Sequence, residues 1–305
     1  MGLQSLTQVD VNYSDDLSDD MRREIDKSIA ALIDRSNRAA ERRRAVQQER
    51  VLLREAKKDS FRKLFGSDGQ AAYTSHTTAK EQSAKSESLE LPIPPAIDSD
   101  ELSKAAALRF GLVTKLFQPP FYFDWKWDNS HGTYGLSYTS DKSGVAAINA
   151  EVKEDGAFIN AHAGVGVALT TETLGSSNDV YVLGRALTWT NRSWFCLAGL
   201  QGGDATTEGG TELTVLSDGE LITSKPETIW RSRLSDGEYD QFYDPEGPFE
   251  VGNPYEVLWT MHPGKVYTFN LGAWVYVECN EGIFGYFSHA VGSNVTKIGA
   301  LSLFK

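Results

Sequence analysis

Apolar positions recur every seven residues at Ile25, Leu32, Ala39, Val46 and Leu53, within a run from Ser18 to Leu64 that has neither glycine nor proline. That pattern predicts one long helix over 18–65. Ser18 serves as its N-cap, Asp19 and Asp20 sit at the positive end of the macrodipole, and Gly66 supplies the stop. The second seam column begins with Ile29 and then turns polar through Ser36, Arg43 and Arg50. The heptad is therefore complete only around Ile25–Ile33, and a helix this polar needs another surface beside it. Ile25, Ile29, Leu32, Ile33, Val46 and Leu53 are the candidate docking or oligomer positions, with Arg42, Arg43 and Arg44 as their charged counterpart. A triple arginine also fits a nucleic-acid patch. Here Glu41 and Glu49 interleave, which favours a solvated face or a contact with an acidic protein surface.

Residues 1–17 show neither period and read as a flexible leader. Residues 66–97 read as a Ser/Thr-rich linker closing on Leu91-Pro-Ile-Pro-Pro95. Asp98 with Glu101 makes a capping-box-like start for a short helix over 98–117. From Phe121 to Lys305 the period changes to two. Turn residues at 154–156, 191–192, 218–219, 263–264 and 280–282 divide this half into some ten short strands expected to pair as hairpins. The fold class is mainly β: an antiparallel β-sandwich or jelly-roll-like domain over 121–305 behind a helical arm. In the clearest strand, Tyr267, Phe269, Leu271, Ala273, Val275, Val277 and Cys279 point one way and are assigned to the core. Trp274 and Tyr276 point the other way, packed under a loop or offered to a partner.

Charge sharpens this picture. The chain carries a net -12, yet residues 20–64 hold 14 Lys/Arg against 8 Asp/Glu, while 121–305 hold 11 against 23. A basic arm and an acidic body are expected to dock, within one chain or between chains. The acidic body is not a surface for nucleic acid, which needs cations for its phosphates. No apolar run reaches the roughly 18 residues of a membrane-spanning helix. The N-terminus lacks a basic start and an apolar core. A soluble protein without a signal peptide is expected, cytoplasmic or exported by a signal-less route.

Reactive constellations are not evident. There is no HExxH, no P-loop lysine motif and no GxGxxG after a strand, and the five histidines stand singly. No cofactor and no enzymatic activity are expected. Cys196 and Cys279 read as buried core thiols. Asp236, Glu238, Asp240 and Asp244 form a carboxylate-rich stretch that could wrap calcium, although the turn glycine and closing glutamate of an EF-hand loop are missing. All seven tryptophans lie in the β half. Trp125 and Trp127 share one face of an extended stretch beside Asp124 and Asp128, a pattern suited to stacking on sugar rings, and Trp274 is a further candidate. The same pair could instead plug the sandwich where the linker enters. Finally, the small-apolar alternation of Val145–Leu169 fits a half-buried strand pair, and also a transmembrane barrel stem. These observations point first to a non-enzymatic structural or interaction protein that meets a protein partner or further copies of itself through the helix. A carbohydrate-binding module is the alternative, and a hairpin pore-former the third reading.

Overall fold

The computed structural model describes residues 8–81, 114–200, 202–243, 250–251, 255–282 and 286–305. The expected linker beyond Glu81, most of the short helix over 98–117, and Asp244 lie outside those residues. The elements in chain order are β1 (Gln8–Tyr13), α1 (Asp19–Glu81), β2 (Lys115–Phe117), β3 (Phe123–His131), β4 (Tyr134–Asp141), β5 (Val145–Val152) and β6 (Phe158–Leu169). They continue with β7 (Val180–Leu197), β8 (Asp204–Ser217), β9 (Glu220–Ser235), β10 (Tyr239–Phe242), β11 (Glu250–Val251), β12 (Tyr255–Met261), β13 (Tyr267–Asn280) and β14 (His289–Phe304).

These strands form an antiparallel β-sandwich. One sheet runs β1-β3-β6-β13-β8-β9, and the other runs β10-β7-β14-β5-β4 with β11 and β12 also on β7 and β2 on β14. A single buried cluster lies between them, drawing Ile148 and Ala290 from one sheet and Val165, Leu213, Phe269 and Val275 from the other. The period-two assignment of β13 holds at every position, from Tyr267 to Cys279. What covers its opposite face is α1, whose Ile25, Ile29 and Leu32 pack with Phe123, Trp125, Trp127, Ala168 and Leu216 into a second cluster. The six-stranded sheet is thus buried on both faces, and the molecule has three layers.

Several expectations change. Residues 8–13 are a strand on β3, with Val9 opposite Trp127 and Val11 opposite Trp125. Val9, Val11 and Tyr13 alternate with polar residues, a short period-two signal hidden in a polar leader. The helix passes Gly66 and runs to Glu81. Gly66 and Gly69 each cost a helix about 1 kcal/mol relative to alanine without stopping it, and no proline intervenes before Pro92. Lys115–Phe117 is a strand on β14 where helix was expected.

Only one of the expected hairpins forms as drawn. Asp218 and Gly219, both at positive φ, make the two-residue turn between β8 and β9. Asn191 and Arg192 do not turn. They continue β7 opposite Val295 and Asn294, so pairing with β14 overrides local turn propensity. Residues 289–304 likewise form one strand where a turn-separated pair was expected. β5 and β6 belong to different sheets, as do β12 and β13, so their turns cross the sandwich instead of closing hairpins. Val145–Leu169 is therefore not a hairpin in this fold. The two strands do not pair, and both are buried in the core.

Candidate functional site

The candidate site lies between α1 and the outer face of the six-stranded sheet. Period two sends Trp125 and Trp127 of β3 toward α1, where they are 3% and 1% exposed. It sends Asp124 and Asp128 the other way. Asp124 accepts from Asn12 Nδ2 and Ser140 Oγ at 2.9 Å each, and Asp128 accepts from Tyr138 OH at 2.8 Å. The carboxylates beside the tryptophans in sequence therefore stand across the strand from them in space. Trp274 of β13 does join them. Trp125, Trp127 and Trp274 line one cavity of ≈ 150 Å³, together with Leu32, Arg35, Ser36 and Ala39 of α1. His162, Glu212, Thr214, Asn270 and Gly272 complete its wall.

The floor is tight because Trp125 lies on glycines. A Cβ at Gly164 would stand 2.7 Å from Trp125 Cζ2 and 2.5 Å from the Leu271 carbonyl oxygen, and one at Gly272 would stand 2.6 Å from Trp125 Cη2. Gly164→Ala is expected to cost about 1–3 kcal/mol through overpacking, seen as a lower urea midpoint. An unchanged midpoint would show that the indole is free to move.

Polar contacts fix the helix over this floor. Thr268 Oγ1 donates to Ser28 Oγ at 2.9 Å, Asn160 Nδ2 to Ser36 Oγ at 2.8 Å, and Asn129 Nδ2 to Asn37 Oδ1 at 2.8 Å. Arg35 pairs with Glu212 at 2.7 Å at the edge of the cavity. Arg43 lies 4.4 Å over the Tyr276 ring and 3.9 Å from Glu208, a buried carboxylate also held by Arg231 and Arg233. The docking of basic arm on acidic body thus takes place within the chain. His162 stacks on Trp127 at 4.0 Å, with Nε2 3.2 Å from both Ser36 Oγ and Asn160 Oδ1. Desolvation, with the Arg43 and Arg35 charges behind it, pushes its pKa down to about 3, so the imidazole is neutral. Burial and Glu278 raise the Tyr276 phenol well above its usual range.

Three buried donors of the lining residues find no acceptor among the described residues: Trp125 Nε1, Trp127 Nε1 and Asn270 Nδ2. Thr214 Oγ1 occupies the other end of the Asn270 carboxamide, donating to Oδ1 at 2.8 Å. Of these wall residues, the sequence alone points to the tryptophans, Leu32 and Ala39. His162, Asn270 and Glu212 are missed because they come from three separate strands, and only the pairing of β6, β13 and β8 brings them together.

The remaining candidates are dispersed. Ile25, Ile29 and Leu32 are buried and Ile33 is half-buried, whereas Arg42, Val46 and Leu53 are exposed. The Arg44 side chain lies outside what the structure describes. Asp236 is a turn residue whose Oδ1 accepts from Gly202 N, Glu238 accepts from Ser235 N, and Asp240 accepts from Trp194 Nε1. The structure does not gather them around one point, and among the described residues no three His, Cys, Asp or Glu side chains come together as a metal site. Cys196 and Cys279 are free and buried, and burial pushes the Cys196 thiol up to about 12. No described helix is long and apolar enough to cross a membrane.

No family model matches the chain, and no curated protein does. Among solved structures, it has a likeness to the CBM22-1 xylan-binding domain of Paenibacillus barcinonensis Xyn10C. That match has 6% identity, covers 62% of this chain and 96% of that one, and has a TM-score of 0.17. TmCBM61, solved in complex with β-1,4-galactotriose, matches at 13% identity over 57% of this chain and 89% of that one, with a TM-score of 0.15. The enzymatically active domain of bacteriophage CBA120 tailspike protein 4 matches at 12% identity over 56% and 18%, with a TM-score of 0.16. Scores this low carry no argument about function.

Proposed function

We propose that this is a non-catalytic recognition protein, with the sandwich as its body and the distal part of α1 as an arm that joins a protein partner or further copies of the chain. The observation that carries this reading is the division of one helix into two environments. Up to Arg43 it packs on the sheet. Beyond, Val46, Leu52 and Leu53 are 53%, 71% and 60% exposed. The helix goes on to Glu81, roughly 55 Å past Arg43 at 1.5 Å per residue. Val46 and Leu53 lie seven residues apart on one face, the spacing of a coiled-coil seam.

Deleting the N-terminal segment is a poor test, because β1 and Ile25–Leu32 belong to the packed structure. Charging the exposed seam is a better one. Light scattering on the full chain is expected to show an assembly, or a cross-linked partner, that Val46→Glu with Leu53→Glu abolishes while thermal unfolding of the body stays unchanged. A monomeric wild type with the same cross-linking pattern as the variant would sink the reading.

The gathering of Trp125, Trp127 and Trp274 with polar side chains around one cavity favours a second reading, recognition of a glycan. A glycan array probed with the full chain tests it, and silence across the array counts against it.

A further inference from the structure

The glycan reading is drawn from the cavity between α1 and the sheet, and the size and lining of that cavity bear on how much of a glycan it would take. We propose that the cavity between α1 and the six-stranded sheet binds one neutral, polyhydroxylated ring, a single sugar residue, with the helix supplying one wall of the site. This rests on the glycan reading and narrows it to one ring.

Size is the first argument. A volume of ≈ 150 Å³ is on the scale of one six-membered ring with its hydroxyls, so any further residue of a chain would lie outside the cavity.

Charge is the second. Arg35 and Glu212 neutralise each other at 2.7 Å, and His162 is held neutral, so the lining offers no net charge to an ion. A charged ligand would be desolvated without a counter-charge.

Unmet hydrogen bonding is the third. The indole N–H groups of Trp125 and Trp127 and the Asn270 carboxamide N–H are donors with no acceptor among the described residues, each a desolvation cost of about 1–3 kcal/mol. An apolar ligand would leave those costs in place. Hydroxyl oxygens accept from such groups and can in turn donate to Glu212. Trp274, the one of the three indoles that is only part-buried, can offer its ring to the C–H face of a sugar.

The glycine floor holds Trp125 in one position, so the wall is set before a ligand arrives. Because Leu32, Arg35, Ser36 and Ala39 line the cavity, the site is incomplete without α1, and ligand occupancy must stabilise the docked helix.

The test uses the full chain, titrated separately with D-glucose, D-galactose, D-xylose and N-acetylglucosamine to high-millimolar concentration. At least one is expected to give a saturable change in tryptophan emission and a rise in Tm. Ala39→Leu, which fills the cavity from a partly exposed helix position, is expected to weaken that binding at least tenfold while keeping or raising the Tm of the ligand-free protein. Val46→Leu, at an exposed position of the same helix outside the cavity, serves as the control and retains the response. Two results would overturn the proposal. If Ala39→Leu binds the responding sugar as well as wild type does, the sugar sits elsewhere and the glycan reading survives without this site. If no sugar moves either signal and the glycan array is also silent, both fall together.

Discussion

Ile29→Ala is expected to lower the stability of the docked helix by about 2–5 kcal/mol, and Ile25→Ala by a similar amount. Both side chains are essentially fully buried in the cluster that α1 forms with Phe123, Trp125, Trp127, Ala168 and Leu216. They stand one turn apart in a shared pocket, so the double variant will not show the sum of the two losses. Its total effect still approaches the whole stability of an ordinary domain, about 5–15 kcal/mol. The helix contributes one layer of three, while the inter-sheet core does not depend on it. The double variant should therefore lose the helix before it loses the sandwich. In urea this appears as an early transition in which tryptophan emission shifts to the red, as Trp125 and Trp127 become wet, followed by a later one for the body. A single late transition at the wild-type midpoint would mean that the helix contributes little. Val46→Ala, at an exposed position of the same helix, is the control and should stay within about 0.5 kcal/mol of wild type.

The parts of this fold that were legible are those where one periodicity persists. β13 alternates for its full length, and its inward set is buried at each position because the core between two sheets leaves no choice of register. The Ile25, Ile29 and Leu32 stripe marked the docking face for the same reason at period 3.6. What failed was punctuation. Gly156 does sit at positive φ in a turn, as read, but a turn residue reports only that the chain reverses and not which sheet the next strand enters. Asn191-Arg192 shows the converse, turn-prone residues carried through a long strand by fifteen paired positions on β14. Trp125, Trp127 and Trp274, the aromatic candidates of the sequence, do line one cavity. Its polar half was not legible. Two carboxylates adjacent in sequence proved to face away, and the residues that do line the wall come from β6, β8 and β13, with no local signal linking them. A helix this basic needs an acidic surface, and Glu208 and Glu212 of the same chain provide it.

Acid should loosen the cover over this site, and His162 is the group through which the effect can be isolated. Its pKa falls from the ordinary 6.5 to about 3 in the folded protein. Between those values the unfolded chain binds a proton that the folded chain does not, so stability rises with pH across the window and is lost as pH drops below 6.5. The slope from this one group approaches about 1.4 kcal/mol per pH unit, giving a loss of about 2 kcal/mol by pH 5. Two other groups act in the same direction. The His289 pKa is lowered by burial, and the Glu151 carboxyl is held down by Lys153 and His289, so the wild-type profile alone cannot assign the effect. The difference from His162→Gln can. Glutamine keeps a neutral polar side chain under Ser36 without a titrating ring, and the Arg35 and Arg43 charges that oppose protonation no longer have a target. The stability difference between pH 7.5 and pH 5, read from urea unfolding, should shrink in the variant by about 2 kcal/mol relative to wild type. Parallel profiles would place the acid sensitivity elsewhere in the sandwich. Since His162 contacts Ser36 of α1 and stacks on Trp127, it takes up a proton in this range only where that contact opens, so acid favours the undocked helix over the docked one.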